Sequence, residues 1–152
     1  MTLNDVLDAL TAWLSRHIEF RHVQRFKGEF AQQDLGRISF ETPALFVIVP
    51  RSETRCPQAG TLDWHCELNL LVITSGEDRE RTAIGLSELL FRRLDGQRYG
   101  LAADRLAAPQ FLGDMDVTDE RWDAQGVSAR ILVLRQTIRT GPARPGLAFT
   151  LF

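Results

Sequence analysis

The sequence predicts an α+β domain, an antiparallel or mixed β-sheet with two α-helices packed on one face, on three observations. Thr61 to Thr74 alternates apolar and polar residues along its length, Ala44 to Val49 is an unbroken apolar run, and two separate stretches carry apolar residues at helical spacing. The order is helix, strands, helix, strands, without the regular βαβ alternation of a parallel sheet. At 152 residues the chain suits one domain, large enough to bury roughly two thirds of its unfolded surface.

The first helix rests on Leu3, Val6, Leu7, Leu10, Trp13 and Leu14, with Thr2 or Asn4 to cap it and an end near His17. Ile18 to Phe30 alternates loosely and reads as a strand that breaks at Gly28. Gln32 to Thr42 reads as a connecting loop or short hairpin ahead of Pro43. Ala44 to Val49, closed by Pro50, has the content of a central strand buried on both faces. Arg51 to Gly60 has turn composition and no period, which predicts a surface loop joining two adjacent strands.

In the long strand that follows, Leu62, Trp64, Cys66, Leu68, Leu70 and Val72 point one way. Asp63, His65, Glu67 and Asn69 point the other, so the strand is half-buried and antiparallel. Ser75, Gly76 and Asp78 offer start chemistry for a helix over Arg79 to Leu94. Its stripe is Ala83, Leu86, Leu90 and Leu94, widened by Ile84 and Phe91, with Glu88 and Arg92 paired and Gly96 as the stop. Residues 101–110 read as a loop or a short helix, Gln110 to Thr118 as a strand, Asp119 to Gly126 as an acidic turn and Val127 to Ile138 as a further strand.

Residues 1–141 thus form a single α+β domain. Residues 142–152 form an apolar C-terminal tail, set off by Pro142 and Pro145, in which Leu147, Phe149 and Leu151 alternate. Past the two prolines this tail cannot easily reach its own core, so it is expected either to act as an inter-subunit arm that adds a strand to a neighbour's sheet, or to fold back onto its own helix or stay disordered.

Charge and motif content exclude several roles. A formal net charge of −2 disfavours duplex nucleic acid as the main partner. The N-terminus lacks the pattern of a secretory leader and no run of about 18 apolar residues occurs, which predicts a soluble chain of cytoplasmic origin. Cys56 and Cys66 are expected to be idle thiols, although a hairpin disulfide is conceivable. Asp63, His65 and Glu67 share a strand face, but a polar row of this kind is the default product of alternation, and it reads as a solvent-facing or interface-facing side. His17 and His22 read as surface residues. Nucleophile-elbow, phosphate-loop, dinucleotide and paired-cysteine motifs are missing. No catalytic residue, cofactor, metal site or small-molecule substrate is expected.

What remains is charge of both signs in separate segments. Arg16, Arg21, Arg25 and Lys27 are basic, as are Arg130, Arg135, Arg139 and Arg144, whereas Asp114, Asp116, Asp119, Glu120 and Asp123 are acidic. Unlike patches suit head-to-tail association between copies. The candidate subunit or partner interface is therefore Asp116, Asp119, Glu120, Asp123, Arg130, Arg135 and Arg139, with Leu147, Phe149, Leu151 and Phe152 of the tail.

The amphipathic first helix, RFKGEF, the run ALFVIVPRS, the strand LDWHCELNLLVITS leading into an Arg-rich helix closed at LDG, and the late strand VSARILVLRQTI together resemble the small Mu-like phage and prophage minor tail proteins. These are similar in plan to tail terminators, and the resemblance spans nearly the whole chain through segment order and hydrophobic pattern. It implies a homo-oligomeric ring, commonly of six subunits, that caps the tail tube and sheath and joins the tail to head-tail connector proteins. Assembly would take place in the host cytoplasm and the product would reside in the virion tail, with no catalytic set to carry across. A head-completion or baseplate adaptor is the alternative of the same size and pattern, and a small cytoplasmic enzyme ranks third.

Overall fold

A computed structural model of the chain describes residues 1–26 and 40–152. The expected strand break at Gly28 and most of the connection from Gln32 lie outside the described residues. Helix α1 (Leu3–His17) starts where its chemistry places it. The Thr2 hydroxyl accepts from the Asp5 amide while the Asp5 carboxylate accepts from the Thr2 amide at 2.8 Å, so both orphan donors are satisfied reciprocally. Its apolar stripe, Val6, Leu7, Leu10, Trp13 and Leu14, is buried.

The sheet comprises β1 (His22–Phe26), β2 (Ala44–Gln58), β3 (Thr61–Ser75), β4 (Gln110–Asp116) and β5 (Val127–Thr140), in the spatial order β1-β2-β3-β5-β4. Among the described residues only β1 and β2 run parallel, so the sheet is mixed and the fold is α+β. Helix α2 (Arg79–Leu94) packs with α1 on one face, where Leu90 and Leu94 meet Cys66, Leu68, Leu70, Val72, Leu132 and Leu134. The opposite face carries a second core of Phe46, Leu71, Ile73 and Ala129, closed by Trp122 of the short helix α3 (Glu120–Ala124). Alternation explains both: even-numbered residues of β3 face the long helices and odd-numbered residues face α3.

Two expectations need correction. The segment from Arg51 is strand rather than loop, because β2 passes Pro50 through a register shift between Ile48 and Arg51 and continues to Gln58. Only Ala59 and Gly60 turn the hairpin, with Gly60 at φ +80°. The turn-like composition arises because β1 covers β2 only as far as Ile48, leaving the outer edge of 51–58 without a strand partner among the described residues. An edge open to water accepts Arg, Ser, Thr and Pro. Second, the acidic turn holds α3, which Asp119 caps by accepting from the Trp122 amide at 2.8 Å. Of the two readings offered for residues 101–110, the loop holds: residues 101–109 form turns with a bridge from Leu106 to Ile138.

Candidate functional site

The register of the three long strands places a polar ladder on the α3 face near the hairpin end. Asp63 lies opposite Arg139, His65 opposite Thr137 and Glu67 opposite Arg135, while β2 sets Arg55, Glu53 and Arg51 on the other side of the same three residues. Charges therefore alternate in sign across the two outer rows, Arg55–Asp63–Arg139 and Arg51–Glu67–Arg135, and Arg51 Nε meets Glu67 Oε2 at 2.7 Å.

The C-terminal segment crosses this ladder and covers it. Arg139 grips Asp63 in a two-pronged ion pair, Nε to Oδ1 at 2.7 Å and Nη2 to Oδ2 at 2.9 Å. Its remaining reach goes to the tail backbone: Nη1 donates to the Leu147 carbonyl at 2.6 Å and Nη2 to the Ala148 carbonyl at 2.9 Å. Asp63 Oδ2 in turn accepts from the Thr150 amide at 2.9 Å and the Thr150 hydroxyl at 3.1 Å. The Phe149 ring lies 4.6 Å from the Arg139 guanidinium and the Phe152 ring 5.3 Å from that of Arg135. Asp63 and Arg139 are 0 % exposed beneath this cover.

His65 joins the two sides, with Nδ1 3.0 Å from the Thr137 hydroxyl and Nε2 2.9 Å from the Thr150 hydroxyl. Because Asp63 takes the single Thr150 hydroxyl proton, Nε2 is the donor to that oxygen, and in the neutral ring Nδ1 then accepts from the Thr137 hydroxyl. Burial and the nearby Arg55 charge hold the His65 pKa below its ordinary value, against the pull of Asp63 and Glu53. Burial alone would raise the Asp63 carboxyl, but the hydrogen bonds from Arg139 and Thr150 outweigh it and keep it below the usual carboxylate value. With both ring nitrogens engaged, His65 is a structural linker rather than a free base. A cavity of about 230 Å³, lined by Arg51, Ser52, Glu53, His65, Glu67, Arg135 and Phe152, opens beside the tail's end.

The row Asp63, His65 and Glu67, expected at solvent or an interface, is thus largely internal, and two of the expected interface residues take different parts. Arg139 is a buried anchor, since its partner Asp63 sits directly across the β3–β5 pair. Arg130 lies on the long-helix face, 2.7 Å from Asp114, so Arg130, Arg135 and Arg139 do not make one basic patch. The tail reaches its parent sheet despite Pro142 and Pro145: Gly141 at φ +97° and Gly146 at φ +80° supply the bends that turn the chain back. Phe149 is half-buried on the ladder, Phe152 rests 4.4 Å from His65, and Leu151 points away at 84 % exposure.

The acidic residues do converge. Asp116, Asp119, Glu120 and Asp123 line one shallow hollow with Glu80, Thr118 and Ser128 at the β4 edge. Hydrogen bonds from the hydroxyl and amide of Thr118 hold the Asp116 pKa below the ordinary value, Asp119 caps α3, and Asp123 meets Arg79 at 2.7 Å. Next to them Ile84, Phe91, Phe111, Leu112 and Leu132 border an open apolar groove between α2 and β4. Among the described residues no three or more His, Cys, Asp or Glu side chains are grouped to hold a metal ion, and no helix is long and apolar enough to cross a membrane. Cys56 is an exposed and Cys66 a buried free thiol, the latter pushed up to about 11 by burial.

Comparison of the sequence with models of known protein families and with curated proteins gives no match.

Proposed function

We propose that this chain is a structural protein of a phage or prophage tail, a terminator subunit that closes the tail tube and sheath as a homo-oligomeric ring and offers the joining surface for the head-tail connector. The observation that carries the reading is the unlikeness of the two sides of the sheet. On one side β4 ends the sheet beside the acidic hollow of Asp116, Asp119, Glu120 and Asp123 and the apolar groove of Phe91 and Leu112. On the other, the outer edge of β2 from Arg51 to Gln58 has no strand partner among the described residues and bears Arg51 and Arg55.

A subunit with two different faces on opposite sides associates head to tail, and such contacts close into rings when the rotation permits. Electrostatic complementarity then sets register and partner choice more than affinity. Assembly belongs to the host cytoplasm and the finished ring to the virion tail, with tube, sheath and connector proteins as neighbours.

Solution mass tests this directly. A hexamer of 17.2 kDa chains weighs roughly 103 kDa, and ring-shaped particles of that mass in light scattering and negative-stain images are the expected result. A chain that stays monomeric at its highest soluble concentration, and that does not bind tubes or sheaths from a related contractile tail, sinks the reading.

A further inference from the structure

We propose that the ladder of Asp63, His65 and Arg139 is an exchangeable clamp, and that in the assembled protein it holds residues 147–152 of a neighbouring copy in place of the chain's own. This rests on the reading of the chain as a ring subunit and names how its copies are tied together.

The clamp recognises an extended backbone. Arg139 takes the Leu147 and Ala148 carbonyls and Asp63 takes the Thr150 amide, contacts that any copy of the segment makes identically. Side-chain recognition adds the Thr150 hydroxyl, shared between Asp63 and His65, and the rings of Phe149 and Phe152 over Arg139 and Arg135. All of these are equally available to a second copy.

The connection into the clamp is a hinge with few attachments. Residues 141–146 belong to no strand, bend at the two positive-φ glycines and carry both prolines. Their ties are a hydrogen bond from Arg105 to the Gly141 carbonyl at 2.6 Å and the local turn from the Leu147 amide to the Arg144 carbonyl. Among the described residues Arg144 Nε, though covered, has no hydrogen-bond partner, so its side chain adds no polar tie to the hinge.

Straightened, six residues span roughly 20 Å, enough to pass from one subunit to the sheet of the next. Exchange keeps every clamp contact, so its equilibrium is set by the hinge and by the concentration of neighbours, which a ring makes high. The clamp thereby links consecutive subunits without any new contact chemistry.

Cross-linking distinguishes the two arrangements. In a Cys56→Ser background, Glu53→Cys and Leu151→Cys are placed on separate copies that are co-expressed, and also together on one chain, and a short bismaleimide is added. Glu53 lines the cavity beside the tail's end and Leu151 is exposed, and neither supplies one of the hydrogen bonds or ring contacts that hold the tail. Exchange predicts covalent dimers between the two single variants, and in the double variant a ladder of linked chains with loss of the internally linked monomer. An oligomer by mass whose double variant links only within its own chain overturns the exchange and leaves the ring intact. A monomer by mass with internal links alone overturns both.

Discussion

Replacing Asp63 by alanine is the sharpest perturbation of the clamp. It removes both oxygens that neutralise Arg139 and leaves the Thr150 amide without its acceptor, at a site where both ionic partners are 0 % exposed. Truncating one member of a buried pair costs about 3–5 kcal/mol, because the remaining charge stays in a low-dielectric surrounding. For a chain of this length each kcal/mol lowers the melting temperature by about 2–4 °C, so Asp63→Ala should melt about 6–20 °C lower than the parent. The assay is a thermal melt by circular dichroism, with urea unfolding for the free energy. Glu88→Ala, which breaks the exposed Glu88–Arg92 pair, serves as the control and should cost about 0.5 kcal/mol or less. Adding Arg139→Met to Asp63→Ala should recover part of the loss, since the unpaired guanidinium goes with it. If Asp63→Ala costs no more than the Glu88 control, water reaches the pair in solution, and the tail does not cover it.

Stability should also fall with acid in two steps, whose signs follow from the shifts. Both His65 and Asp63 have folded pKa values below their ordinary ones, so each contributes stability that is complete above its unfolded pKa and is lost as pH falls through the folded value. The His65 step opens below about pH 6.5 and the Asp63 step below about pH 4, and His65→Gln should abolish only the first in pH-dependent melts. Deleting residues 147–152 should leave a cooperative melt with a smaller loss than Asp63→Ala, because the Asp63–Arg139 pair then stays intact and is hydrated; a loss equal to or greater than that of Asp63→Ala would show the tail to be part of the core. Gly141→Ala should cost about 1–3 kcal/mol, as its φ of +97° disfavours a side chain and the added methyl runs into the Gly60 carbonyl oxygen. Alanine at Asp116, Asp119, Glu120 and Asp123 together should lose roughly 0.5–2 kcal/mol through the α3 cap while weakening self-association in a salt-dependent way. Association unchanged at low salt would remove the acidic edge from the interface.

The parts of the fold legible in the sequence are those whose signal is local. Leu68, Leu70 and Val72 alternate because one face of β3 meets the long helices, and Leu90 and Leu94 repeat at helical spacing because α2 buries one stripe. The helix cap is local too: the sequence offers Thr2 or Asn4, and the reciprocal bonds with Asp5 decide for Thr2. The clamp could not: Asp63 and Arg139 are 76 residues apart, and only the β3–β5 register makes them partners. Without that register, Asp63 and His65 look like the wet side of a strand. The distal half of β2 was hidden for a related reason, since a strand on an open edge carries Arg51, Ser52 and Thr54 and has the composition of a loop. The two prolines of the tail argued for detachment, whereas Gly141 and Gly146 on either side of them decide its path.

The pairing of β3 with β5 also dictates a sequence of events in folding. Leu62 meets Thr140 and Ser75 meets Val127, so the central pair of the sheet joins segments with α2, β4 and α3 between them, the kind of non-local closure that is slow and late. The β2–β3 hairpin, turned by Ala59 and Gly60, can form long before it. Asp63 gains Arg139 only through the β3–β5 pairing, and the backbone of 147–152 has no seat until both are in place. Capture of the C-terminal segment therefore follows that pairing. A dye at position 151 should report a phase that never precedes the strand signal. A chain with a misregistered β5 would leave its C-terminal segment without a seat.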